Sequence, residues 1–383
     1  MKRKILTLSL MALSSAALLA GCGEEKTPVL AVVTDVGSIN DHSFNEACYK
    51  GMVDFAEEND LGYAYYQPTE NSTANRVATI DTAVEKGAEV IVLPGYLFNS
   101  TVKIVQDKYP DVHFLGVDVD PSDTDNNYAS YEFADNVTSL KYYENEAGFF
   151  AGYAAVMEGY TKIGFLGGMS VPAVVKYGQG YLFGAEKAAE AKGLDDGAIQ
   201  VNYTYAGGFS PTTDIQTAMS SWYTAGTEVI FSCGGGIYSS VVQAATTANG
   251  NLAEGEKTKA VIGVDVDQHL DSDLIITSAM KNMEPTVKEY LEKLYDNNMA
   301  WPDEYAGQAV TLGVDDGAVG LPTDEASWKL QNWTVEEYEA LYADVVADKY
   351  PGLDLLQAGD DTLTQAQILL LTKLDVTYSA SLA

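Results

Sequence analysis

Short apolar runs alternate along this chain with stretches whose apolar positions recur at helical spacing. Val29-Leu30-Ala31-Val32-Val33-Thr34 is a continuous apolar run, the pattern of a strand covered on both faces. A turn follows, and then an amphipathic helix is predicted from about Ser43 to Asn59, with Ser43 and Glu46 at capping-box spacing. The alternation continues with strands over 63–67, 89–93 and 112–117 and helices over 73–86 and 99–108. Strand–helix–strand units of this length imply right-handed crossovers and a parallel sheet with helices on both faces. Residues 118–127, rich in Asp, Pro, Ser and Asn, form a polar break and mark the expected first hinge crossing.

A second series begins with a helix over 144–157. Strands over 162–166, 199–205, 229–233, 261–264 and 275–280 then alternate with helices over 174–191, 212–225, 237–248 and 284–296. The tail carries Trp301, Trp328 and Trp333, a helix near 335–348 and an amphipathic segment over 365–374 expected to pack on a lobe. There is no short-period repeat and no low-complexity stretch. The fold class is therefore α/β, with two doubly wound parallel-sheet lobes. The expected division puts residues 29–122 and about 282–308 in the first lobe. Residues 123–281 and about 309–383 form the second lobe and a C-terminal extension. In open α/β sheets ligands bind beyond the carboxyl ends of the strands, which directs attention to a cleft between the lobes.

The N-terminus changes the picture. Lys2, Arg3 and Lys4 precede an apolar stretch from Ile5 to Leu18, which Leu19-Ala20-Gly21-Cys22 closes. A positive end, a short apolar core and small residues before a cut mark a secretory signal, too short for a stable membrane span. The last four residues look like a bacterial lipobox. Residues 1–21 then form the signal, Cys22 is the acylated new N-terminus and residues 22–28 are a tether. The chain is expected on the extracytoplasmic side of a cell membrane, held by lipid rather than by a helix.

The 383 residues suffice for two domains, and the formal charge of −33 grows more negative once the three positive signal residues leave. Such a surface repels nucleic acid and anionic head groups. Arginine occurs only at Arg3 and Arg76, which disfavours a bidentate clamp on a carboxylate or phosphate ligand. Cys48 and Cys233 lie far apart in apolar contexts and read as buried thiols.

The loops after the predicted strands carry the candidate chemistry. The first runs from Thr34 through Asp35, Gly37, Asp41 and Phe44 to Asn45 and Glu46. Later ones hold Pro94-Gly95-Tyr96, Gly116-Val117-Asp118, Gly207-Gly208-Phe209, Gly234-Gly235-Gly236, Gly263-Val264-Asp265-Val266-Asp267 and Thr277-Ser278-Ala279-Met280-Lys281. Aromatics, carboxylates and glycines recurring where strands end suit a flat, polyhydroxylated ligand. Phe44 and Phe209 can sandwich a ring, each base–aromatic stack being worth roughly 1–3 kcal/mol. Asp265 can accept two ribose hydroxyls at about 1.5–3 kcal/mol each.

These segments resemble the basic membrane protein family of bacterial lipoproteins, the purine-nucleoside-binding proteins of ABC importers. The matching residues are 33–45, Pro94-Gly95, 116–118, Glu146-Ala147-Gly148-Phe149-Phe150-Ala151-Gly152, Ile163-Gly164-Phe165-Leu166-Gly167-Gly168, 262–268 and 277–281, spanning roughly Val29 to Leu312. The resemblance implies a type I periplasmic-binding-protein fold, its two lobes joined by a multi-strand hinge and a purine nucleoside between them. It implies that Phe44 and Phe209 stack on the base, that Asp118 bonds the base edge and that Asp265, Lys281 and the segment around Gly235 hold the ribose. Asp35, Asp41, Asn45 and Tyr96 join the expected site. Tyr96 stands where many members carry Phe, Ile237 follows the glycines where a small polar residue is usual, and 207–211 is a loose match. The partners so implied are an ABC permease and ATPase, with the chain itself a monomer. No cofactor or metal is expected.

Other readings compete. Asp41 and Asp118 as acid and base would make a hydrolase, but no nucleophile elbow or metalloprotease motif is present and His42, His113 and His269 are scattered. The acidic groups at 120–125 and 267–273 lack the glycine and terminal glutamate of a calcium loop. A sugar is the main chemical rival as ligand, and a ligand-sensing surface receptor is the functional one.

Overall fold

The computed structural model describes residues 26–35, 37–122, 129–253, 255–353 and 373–382. Cys22, the signal and most of segment 365–374 lie outside the described residues. The first series gives β1 (Pro28–Val33), α1 (Phe44–Glu58), β2 (Gly62–Tyr66), α2 (Thr73–Glu85), β3 (Val90–Pro94), α3 (Asn99–Lys108), β4 (His113–Val117) and β5 (Val137–Tyr142). The second gives α4 (Glu144–Met157), β6 (Lys162–Gly167), α5 (Pro172–Ala191), β7 (Ile199–Tyr205), α6 (Thr213–Thr224), β8 (Val229–Cys233), α7 (Tyr238–Asn249), β9 (Ala260–Asp265) and β10 (Ile275–Lys281). After them come α8 (Met283–Asp296), β11 (Gln308–Leu312), β12 (Val319–Gly320), α9 (Val335–Val346) and β13 (Leu374–Tyr378).

Two sheets result. The first has the order β11-β5-β4-β3-β1-β2 with parallel pairs. The second has the order β12-β10-β9-β8-β6-β7-β13, parallel except at β12. The same 2-1-3-4-5 winding thus occurs twice, and the tail supplies the outer strands. Central runs such as Leu30–Val33 and Val229–Cys233 are wholly buried, as continuous apolar strands require.

Strand β5 corrects the expected lobe boundary. It pairs with β4, and β11 pairs with β5, so the first sheet reaches Tyr142 and Leu312 rather than residues 122 and 308. β4 before the break and β5 after it thus belong to one sheet, so the chain does not change sheets between them. Val137-Thr138-Ser139-Leu140-Lys141-Tyr142 escapes the apolar pattern because its polar members are satisfied internally: Ser139 donates to Val119 O and Thr138 to Tyr305 O.

The helices after β5 and β10 trade sides. α4 packs on α5 and β10, whereas α8 packs back on α1. Small residues permit both contacts. A Cβ on Gly148 or Gly152 would collide with the carbonyls of Tyr177 and Tyr181, and one on Gly51 with that of Glu284. The tail then seals α4 with aromatic rings, Phe150 meeting Tyr338 and Tyr342 at centroid distances of 5.3 and 5.4 Å.

Candidate functional site

Each fourth strand of the two windings ends in the same five residues. Gly116-Val117-Asp118-Val119-Asp120 closes β4 and Gly263-Val264-Asp265-Val266-Asp267 closes β9. In each the glycine lies against a serine of the next strand, where a Cβ would stand 2.9 Å from Ser139 Oγ or 2.6 Å from Ser278 Oγ. Asp118 and Asp265 both turn into the left-handed region, at φ +60° and +68°, which aspartate tolerates better than most residues. The turn takes the chain out of the strand at the sheet's carboxyl edge.

These ends face a cavity of about 690 Å³. All ten residues expected from the sequence line it: Asp35, Asp41, Phe44, Asn45, Tyr96, Asp118, Phe209, Gly235, Asp265 and Lys281. Among the described lining residues Lys281 is the only cation, set against four aspartates.

The carboxylates differ in their partners. Asp41 accepts from the backbone N–H groups of Ser43, Asn45 and Glu46 at 3.0–3.1 Å and from Asn45 Nδ2 at 3.1 Å. It is therefore the cap of α1, in place of the expected Ser43/Glu46 capping box. Glu46 instead accepts from His42 N and pairs with Lys50. The Ser43 hydroxyl is freed to donate to Asp265 Oδ2 at 2.7 Å, across the two halves. Tyr177 donates to Asp265 Oδ1 at 3.5 Å. Asp35 accepts from Gly37 N at 2.6 Å. Burial pushes the carboxyls of Asp35, Asp41 and Asp265 above their ordinary value despite these bonds.

Asp118 is held by charge. Lys281 Nζ donates to its Oδ2 at 2.6 Å and to Glu144 Oε1 at 3.0 Å, with the lysine side chain 1 % exposed. The Asp118 carboxyl is pushed up to about 6, chiefly by burial, with Lys281 opposing the rise and Glu144 adding to it. For Lys281, burial alone lowers the ammonium, but Asp118, Glu144 and Asp265 together raise it above its ordinary value. Aromatic faces complete its cage, with Tyr142 and Phe44 centroids 5.0 and 5.1 Å from Nζ. Asp118 Oδ1 and Asn45 Oδ1 are buried without a hydrogen-bond partner among the described residues.

The glycines around Phe209 make room for its ring. A Cβ on Gly168 would collide with it, one on Gly234 would stand 2.9 Å from Cδ1 and one on Gly235 3.2 Å from Phe209 Cβ. Gly236 N also donates to Phe209 O at 3.0 Å. Ser43, Glu144 and Tyr177 were missed by sequence reasoning; the duplicated Gly-Val-Asp-Val-Asp was the signal that the two carboxylates are counterparts. Cys48 and Cys233 are buried, and burial pushes both thiols up, which leaves them inert.

Contacts also bridge the mouth. Gln268 Nε2 donates to His42 O at 2.9 Å, and His42 Nδ1 lies 2.9 Å from Asp271 Oδ1. Asp267 is engaged by His269 and Ser327, so the acidic run after β9 is tied into the structure.

Two parallel sheets sharing a polar cavity at their carboxyl edges define a two-lobed ligand-binding protein. The family described as "ABC transporter substrate-binding protein PnrA-like" (Bmp) matches residues 28–348, and the chain belongs to it. It is a transport substrate-binding protein and not an enzyme. The chain is 29 % identical to the "ABC transporter nucleoside-binding protein BmpA" of Lactococcus lactis subsp. cremoris, over 87 % of this chain and 95 % of that one. It is 27 % identical to the "Basic membrane protein B" of Borreliella burgdorferi, over 75 % and 78 % of the two chains. Among solved structures, a solute-binding protein of an ABC transporter system from Aeropyrum pernix K1 superposes with a TM-score of 0.64 at 23 % identity, covering 86 % of this chain and 90 % of that one. The Lac repressor superposes at 0.53 with 14 % identity, covering 83 % and 86 %. The fold is of the type I periplasmic-binding-protein kind. Among the described residues no helix is long and apolar enough to cross a membrane.

Proposed function

We propose that this chain binds a purine nucleoside in the cavity and delivers it to an ABC permease by lobe closure. It acts as a monomer outside the cell membrane, held by lipid on Cys22. The observation that carries the reading is the lining itself: Phe44 and Phe209 for a flat base, Asp118 for its edge and Asp265 for vicinal hydroxyls. Four carboxylates against one shared ammonium disfavour a phosphorylated or carboxylate ligand. The printed name of the Lactococcus lactis relative supports a nucleoside over a free sugar. Closure is supported by bonds that join residues of different sheets, Ser43 to Asp265 and Gln268 to the His42 carbonyl. A ligand touching both sides shifts the population toward the closed form, which the permease recognises.

A thermal-shift screen of the mature chain, unfolded and refolded to empty the cavity, tests the ligand. Inosine, guanosine or adenosine should raise the melting temperature in a concentration-dependent way, with sugars giving no rise. A rise with sugars alone overturns the nucleoside reading and leaves the transport role intact.

A further inference from the structure

Glu144 opens α4, is 2 % exposed and lies outside the cavity wall. A buried carboxylate is costly unless paired, and this one is paired with Lys281. Glu144 and Lys281 belong to the same side of the molecule, since α4 packs on β10, whereas Asp118 follows β4 of the other sheet. We propose that Glu144 is a positioning residue for the bound nucleoside: from behind the wall it holds the Lys281 ammonium, and through it sets where the Asp118 carboxylate stands, on which its own charge also acts directly. The ligand in this statement rests on the nucleoside reading; the effect on Asp118 does not.

The geometry supports the chain of action. The ammonium bridges Glu144 Oε1 and Asp118 Oδ2, which leaves Asp118 Oδ1 as the oxygen for a ligand donor. Held by Glu144, Lys281 keeps its place on the second sheet's side when the cleft opens and Asp118 moves away. The groups acting on Asp118 are Lys281, Glu144, Asp265 and the neutral buried thiol of Cys48. Of these Lys281 favours its ionised form, while Glu144 and Asp265 oppose it. Removing the Glu144 charge therefore lets Asp118 ionise at lower pH.

The test compares the mature wild-type chain with Glu144→Gln and Glu144→Asp. Carboxyl 13C NMR of ligand-free, aspartate-labelled protein follows the Asp118 resonance, assigned by its loss in Asp118→Asn. In Glu144→Gln its midpoint should fall by about half a pH unit or more, and in Glu144→Asp it should stay near the wild-type value. Calorimetry with inosine at pH 8 should show binding about threefold or more weaker in both variants, from the loosened ammonium. The affinity lost on going to pH 5.5 should be smaller in Glu144→Gln than in wild type. An unmoved Asp118 midpoint in Glu144→Gln overturns the inference. If that variant does not fold, Glu144→Asp decides: a shifted midpoint or unchanged inosine affinity overturns it. Wild type that binds no nucleoside would sink the proposed function, while the ligand-free titration still decides the role of Glu144.

Discussion

Asp118 and Asp265 occupy the same place in the two windings, with the same flanking residues and the same left-handed turn, yet their surroundings differ. Asp118 is given a cation, Lys281, at 2.6 Å, and Asp265 is given hydroxyls, from Ser43 at 2.7 Å and Tyr177 at 3.5 Å. In both cases the closest partner comes from the opposite sheet: β10 of the second supplies Lys281, and the start of α1 beside the first supplies Ser43. The backbone device is duplicated and the chemistry is not. A symmetric frame thus offers a ligand two unlike carboxylates, one fixed by charge and one by neutral donors.

The largest break in that comparison comes from Lys281→Met. It strands Asp118 and Glu144 as buried carboxylates, a loss of about 3–5 kcal/mol where one partner of a buried pair is removed. Asp118 then loses the ammonium that held its carboxyl down, so its folded pKa rises further above the unfolded value. The folded chain binds more protons than the unfolded one there, and stability falls as pH rises. Denaturant unfolding should show the deficit against wild type greatest above neutral pH and shrinking in acid.

The glycines come next. Gly263→Ala should cost about 1–3 kcal/mol and Gly116→Ala less, by thermal unfolding, because the added Cβ at Gly263 meets Gln268 Oε1 at 2.5 Å and at Gly116 nothing closer than 2.9 Å. Equal costs would mean that Gln268 gives way despite its bonds to Val264 N and His42 O. Asp265→Asn and Asp118→Asn keep the tolerated turn, and each should weaken nucleoside binding more than about tenfold, the worth of a charge-assisted bond. The two should separate by pH. The acid dependence of affinity should vanish in Asp118→Asn, whose carboxyl is pushed up to about 6 by burial, and persist in Asp265→Asn. The smallest effect belongs to His42→Ala. Its contact with Asp271 is half in solvent, so calorimetry should find affinity changed by less than about twofold.

Much of this is legible in the sequence alone. Runs such as Val29–Val33 and the amphipathic stretches between them announce two α/β windings. The rule that ligands sit beyond strand ends gathers Asp35, Phe44, Asp118, Phe209, Asp265 and Lys281, which the fold brings to one cavity. What stayed hidden shares a cause: polar residues satisfied by distant partners. Strand β5 goes unpredicted because nothing local reveals that Ser139 and Thr138 find carbonyls elsewhere in the chain. Ser43 read as a helix cap because its true acceptor lies 222 residues away. Glu144 read as an ordinary helix start for the same reason.

The sequence by itself therefore determined the central strands, most of the helices, the double winding and the residue types at the strand ends, because periodicity and turn chemistry are local properties. Tertiary structure alone decided which carboxylate meets a cation and which meets hydroxyls, and where the chain changes sheets. Those outcomes depend on groups brought together from distant parts of the chain, where burial strengthens each charge and makes an unpaired polar atom costly.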